Sequence, residues 1–117
     1  MVRREQIREA ANLEGGKGKA FICQIVTPQE LHGSAKLYAK VVLPPGSSVG
    51  WHRHVRETEP YYILKGQADF IDNDRSVTKV GPGDCCLIEE GQYHSLENNY
   101  GEDVEFMALI VNVPESN

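Results

Sequence analysis

Two of the chain's four histidines, His52 and His54, stand one residue apart in the stretch "VGWHRHVRETEPYYILKG", residues 49–66. Along a β-strand, side chains two residues apart point the same way, so these imidazoles can converge on one point inside a barrel. Imidazole is the commonest side-chain metal donor. Taken alone, the pair also suits a surface strand with Trp51, Arg53 and Val55 on its other face. Other chemistry-bearing stretches are weaker. "EGGKGKA" (residues 14–20) lacks the spacing of a phosphate-binding loop, has no Ser or Thr after its lysine, and reads as a flexible turn. Cys23 stands alone and Cys85 and Cys86 are adjacent, with no CxxC or zinc-finger spacing. His32, in "ELHGS", falls in a solvated loop.

Glu59 and His94 extend the histidine pair into a longer pattern. Gly46 is followed after five residues by His52, after one by His54, after four by Glu59 and after six by Gly66. Further on, Gly83 is followed after seven residues by Gly91, after two by His94 and after three by Asn98. These spacings closely resemble the two motifs of the cupin superfamily. The first matches at every fixed position. The second matches at both glycines, the histidine and the asparagine, and departs at Glu89, where the family usually carries proline. The resemblance covers about residues 20–113. It implies an all-β fold, a double-stranded β-helix or jelly-roll-like barrel, often dimeric. It also implies one divalent transition metal per subunit, held by His52, His54, Glu59 and His94. The four glycines fall at strand ends, where the chain turns, and Asn98 reads as a turn residue.

The carboxylate is the open point. Glu57 and Glu59 are both an odd number of residues from His54, so on an uninterrupted strand neither shares the parity of the two histidines, and Glu57 is a rival ligand. The polar stretch "VRET" (residues 55–58) favours Glu59, because a bulge or loop there resets the parity. Pro60 then holds Glu59 extended. With Glu59 inward, Tyr61 and Ile63 line the same cavity.

Three imidazoles and a carboxylate make a mixed nitrogen–oxygen set that suits Mn, Fe, Co, Ni, Cu or Zn. An octahedral ion so held keeps two positions for a small-molecule ligand. Candidate helpers are Tyr61 and Tyr93 as hydrogen-bond donors and Glu57 as a general base. The expectation is a metal-dependent enzyme of dioxygenase, isomerase or lyase type, acting on a small oxygen-rich molecule. The alternative is a metal-dependent binding or sensing module without catalysis. Of Cys85 and Cys86, adjacent on a strand, one points in and one out, the inward one as a small buried hydrophobe.

The elements that must position these residues are short strands. The N-terminal arm, residues 1–19, includes a short helix over 5–13, and the barrel domain spans 20–113. Strands are expected at 20–27, 36–43, across the histidine pair, and at 61–66, 67–72, 77–80, 85–90, 92–98 and 104–113. Turns such as "PPGSSVG", "NDRS" and "GPGD" separate them. The last strand is apolar on both sides, with Val104, Phe106, Ala108 and Ile110 on one and Met107, Leu109, Val111 and Val113 on the other. Both faces must therefore be covered. The second cover comes from the N-terminal segment or from another subunit, and a homodimer is expected.

Bulk properties fit one domain: the chain has 117 residues, 40% of them hydrophobic and 25% charged. A net charge of -5 argues against nucleic acid and against an anionic membrane surface. No apolar run approaches the ~18 residues of a membrane span. Residues 1–16 lack the apolar core of a secretory signal. An odd cysteine count points to a reducing, cytoplasmic compartment.

Overall fold

A computed structural model describes residues 1–115. Ten strands make up nearly all of its regular structure: β1 Arg8–Ala11, β2 Lys19–Val26, β3 Ala35–Leu43, β4 Ser48–Arg53, β5 Glu57–Lys65, β6 Ala68–Ile71, β7 Val77–Val80, β8 Cys85–Ile88, β9 Tyr93–Glu97 and β10 Val104–Asn112. They form a six-stranded sheet in the order β1-β2-β3-β10-β5-β8 and a four-stranded sheet in the order β4-β9-β6-β7. All pairings are antiparallel. The two inner faces close over one core in the expected double-stranded β-helix.

Period-two alternation builds that core. On β3, Ala39, Val41 and Leu43 are buried, and on β10 Val104, Phe106 and Ala108 are. Tyr61 and Ile63 do the same on β5, and Cys86 and Ile88 on β8. The expected in–out split of the cysteine pair holds, with Cys86 buried and Cys85 exposed. Burial pushes the Cys86 thiol up to about 12.

Tertiary pairing overrides helix propensity at the N-terminus. The helix expected over residues 5–13 does not form. Instead β1 pairs along the edge of β2, from Arg8 opposite Ile22 to Ala11 opposite Lys19. An isolated helix this short is marginal in water. The connection from Asn12 to Gly18 folds the segment back onto β2, whose free edge offers backbone partners. This connection includes a short 3-10 turn, Leu13–Gly15, and packs tightly on β4. A Cβ on Gly16 would lie 2.1 Å from the Ser48 carbonyl oxygen, and one on Gly50 2.2 Å from that of Glu14. The Lys17 N–H donates to Ser48 Oγ at 2.9 Å, and the Ser48 N–H to the Lys17 carbonyl at 2.9 Å. The turn is thus bolted to the strand that carries His52.

Candidate metal centre

His52 and His94 sit directly opposite each other on the neighbouring strands β4 and β9. His54 lies one residue past the end of β4, and its backbone is pinned at both ends. Its N–H donates to the Gln92 carbonyl at 3.0 Å, and its carbonyl accepts from the Gly91 N–H at 2.7 Å. The turn into β9 forms without the family's proline at Glu89. The Gln92 side chain accepts from the Glu89 N–H at 2.8 Å, and Gly91 takes φ 81°, where a side chain would be strained. The parity question is resolved by a turn at residues 55–56, with Arg56 in the left-handed region at φ 59°. The chain re-enters as β5 with Glu59 pointing inward, 3% exposed.

His52, His54, Glu59 and His94 thereby bring one donor atom each to within 4.8 Å of one another. The three Nε2 atoms lie 2.9, 3.1 and 3.3 Å apart. Glu59 Oε1 is 3.0 Å from His54 Nε2 and 3.2 Å from His94 Nε2. These contacts are close but poorly directed, and among the described residues the oxygen is buried without a hydrogen-bond partner.

The tautomers show why this cluster fits a cation. His52 Nδ1 donates to the Gly50 carbonyl at 2.7 Å, and His54 Nδ1 donates to Glu57 Oε1 at 2.8 Å. In the neutral rings both Nε2 atoms therefore present lone pairs to each other at 2.9 Å. Only a positive charge between them, a proton or a metal ion, makes that arrangement favourable. The donor set is one that first-row divalent metals accept. His94 Nδ1 is buried with no partner among the described residues.

Local electrostatics agree. Burial disfavours an ionised Glu59, but the adjoining His54 and His94 rings outweigh it and hold its carboxyl below the usual range. Burial likewise opposes a charged His54, yet Glu59 and Glu57 together raise it above the ordinary histidine value. His94 is pulled down by its burial. Tyr61 is fully enclosed. Burial first, and the Glu59 charge second, hold its phenol well above the usual range, so it stays protonated.

The expected helpers divide. Tyr61 belongs to the site: its ring stacks on His94 with centroids 4.8 Å apart, and its hydroxyl is 3.4 Å from His94 Nε2. Glu57 stands behind the donors. It accepts from His54 Nδ1 and is ion-paired to Lys36, which with His54 holds its carboxyl low against the effect of burial. Tyr93 lies on the opposite face of β9 from His94. It is 39% exposed and stacked on Trp51 at 5.5 Å, so the expectation of Tyr93 as a cavity donor is corrected. Adjacent strand residues face opposite ways, and His94 takes the inward position. Asn98 is a buried turn residue whose Nδ2 donates to the Leu43 and Glu102 carbonyls at 2.8 and 2.7 Å.

A cavity of about 190 Å³ opens beside the cluster. His52, His54, Glu59 and Tyr61 line one end, and its walls are mainly apolar, including Ile22, Val41, Val49 and Phe106. Ile63, expected in this cavity, belongs instead to the packed core at 0% exposure. Arg8 and Glu14 also line the cavity, and sequence reasoning passed over both. Their places depend on β1 and its turn, which a helical reading of residues 5–13 hides.

A barrel of two antiparallel sheets with a His₃Glu cluster is the cupin arrangement, and the chain belongs to the cupin family: the family model "Cupin domain" matches residues 39–111. A relative from Thermotoga maritima described as "Oxalate-binding protein" is 43% identical over 101 residues, covering 86% of this chain and 83% of the relative. The crystal structure of a predicted oxalate decarboxylase from the same organism superposes with a TM-score of 0.92 at 39% identity, covering 97% of this chain and 100% of that one. The polyketide cyclase RemF of Streptomyces resistomycificus has a TM-score of 0.74 at 19% identity, covering 100% of this chain and 89% of that one, and shares the fold alone.

Proposed function

We propose that this chain is a metal-dependent cupin that holds one divalent transition metal per subunit through His52, His54, Glu59 and His94, and takes a small oxygen-rich molecule into the adjoining cavity. The observation that carries this reading is the pair of neutral-imidazole lone pairs opposed at 2.9 Å beside a buried, unpartnered carboxylate oxygen. A bound metal of this kind would supply Lewis-acid polarisation of a ligand oxygen. The chain's own residues do the rest. Glu57 and the Gly50 carbonyl fix the His54 and His52 tautomers so that Nε2 faces inward. The protonated Tyr61 hydroxyl is a donor beside the donor cluster. The apolar walls exclude water and strengthen each polar contact within. The name of the Thermotoga relative supports a small oxygen-rich acid as the ligand class.

Under this reading the chain turns its ligand over, as a lyase, dioxygenase or isomerase, with Tyr61 as donor. A second reading, binding or sensing without turnover, is favoured by one observation: Glu57, the expected general base, is committed to His54 and Lys36. Incubating the metal-loaded protein with oxalate, hydroxy acids, sugars and diols, in air and without it, separates the two. Product formation supports the enzyme. Saturable binding with no product under either atmosphere, with Mn, Fe, Ni and Zn each tried, supports the binding module.

The assembly we propose is a homodimer through the outer face of the six-stranded sheet. There Tyr38, Tyr62, Leu64 and Leu87 are 36, 48, 43 and 51% exposed. Tyr38 and Tyr62 lie opposite Leu109 and Met107 of β10. The three cysteines are free thiols, which supports a reducing, cytoplasmic setting.

A further inference from the structure

We infer that Arg8 is a specificity-determining residue of this site, selecting ligands that carry a carboxylate. The inference rests on the reading of the cavity as the ligand site, and deepens it.

Register places the side chain. Arg8 lies directly opposite Ile22 on β2, and Ile22 is a core residue, 4% exposed. Directly opposed residues of an antiparallel pair lie on the same face. Arg8 therefore lies on the barrel's inner side, at the edge strand over the cavity mouth, and it lines the cavity. Its neighbour Glu9 takes the opposite face and pairs with Lys19 at 3.3 Å.

Arg8 combines an unpaired charge with a place on the cavity lining. Arg3, Lys19, Lys36, Lys40 and Arg56 each have a carboxylate partner. Among the described residues, no carboxylate lies within ion-pair distance of Arg8. It is the sole Lys or Arg of the cavity lining. A guanidinium presents a planar fork of donors that matches a carboxylate in two parallel hydrogen bonds. Over apolar walls it contributes recognition rather than packing. The cavity, about 190 Å³, is smaller than the roughly 300–1,000 Å³ of sites for drug-sized ligands, so the acid is small.

Glu14 gives the mouth its second sign. It lines the same cavity from the Leu13–Gly15 turn, in the left-handed region at φ 52°. The tight packing of that turn on β4 holds it there. Its charge opposes an anion while that of Arg8 attracts one, so the two residues make opposite predictions at a single opening.

The test uses full-length protein loaded with Mn²⁺, its metal content measured first, and calorimetric titration with oxalate, glycolate and the neutral amide glycolamide. Arg8→Ala, and Arg8→Gln as a milder variant, should keep the metal and weaken oxalate and glycolate by about 10- to 100-fold, as expected for loss of a charged hydrogen-bond partner. Glycolamide binding should change little. Glu14→Gln should tighten the two acids. Equal loss of acid and amide in the Arg8 variants, or oxalate binding at the wild-type level in them with metal retained, would overturn the role of Arg8. A wild-type protein that takes up no Mn²⁺ would instead overturn the metal-centre reading on which it rests.

Discussion

At the residue scale, two glutamates have different tasks. Glu59 faces the three Nε2 atoms, whereas Glu57 sits behind His54 and orients it. Glu57→Ala should leave a site that still fills at high metal concentration, with affinity lowered about 10- to 100-fold, the usual effect of removing a partner of a metal-binding histidine. Glu59→Ala should lose more, since a donor itself is gone. Competition with a chromophoric chelator ranks the two, and a larger loss for Glu57→Ala would reverse the assignment. Acidity adds a second prediction. Burial opposes protonation of His54, but Glu59 and Glu57 raise its value above the ordinary one, so in the metal-free chain it takes up a proton at higher pH than a free histidine. A metal ion must displace that proton. Metal affinity should therefore fall as pH drops, beginning at or above the ordinary histidine range, and affinity that is flat from pH 8 to pH 5 would count against imidazole donors. The convergence of the four side chains was legible in the sequence, because motif spacing and residue type carry it. Arg56 in a left-handed turn was not: nothing about an arginine announces φ 59°, yet that turn is what brings Glu59 inward.

Elements explain both what sequence reading captures and what it loses. Strands β2 to β10 were legible, apart from the first residues of β5, because alternation and turn residues mark them locally. Strand β1 was not, since "EQIREAANL" favours a helix and only the free edge of β2 makes it a strand. That error conceals Arg8 and Glu14, the two charged residues of the cavity mouth. The close approach of the β1–β2 turn to β4 was likewise invisible in sequence, because it joins Gly16 to Gly50 across the fold. Gly50→Ala puts a Cβ 2.2 Å from the Glu14 carbonyl oxygen and 2.7 Å from the Gly16 nitrogen, both backbone atoms with little freedom to move. We expect a loss of about 1–3 kcal/mol of stability, the common cost of overpacking, read by denaturant unfolding. An unchanged midpoint would mean the turn is free to lift away. The alternation on β8 predicts thiol reactivity. Cys85 is exposed, while Cys86 is buried with its thiol pushed up to about 12. Brief iodoacetamide treatment of the folded protein at pH 8 should label Cys85 and spare Cys86 and the buried Cys23, as read by peptide mass spectrometry.

For the whole molecule, the barrel serves as a frame that presents four donors from three strand regions to one buried point. Strands β4 and β9 bring His52 and His94 face to face, and the turn between β4 and β5 delivers His54 and Glu59. The apolar outer face of the six-stranded sheet gives the molecule a second property. Sedimentation at micromolar concentration should show twice the chain mass, and Tyr62→Glu combined with Leu87→Glu should halve it without emptying the site. A wild-type monomer would refute the dimer and leave the metal centre standing. The metal centre is tested most directly by the metal content of the untagged protein, purified without added metal and measured by mass spectrometry. About one transition-metal ion per chain is expected in the wild type, and essentially none in a folded double variant, His52→Ala with His54→Ala. The same metal content in both proteins would contradict it.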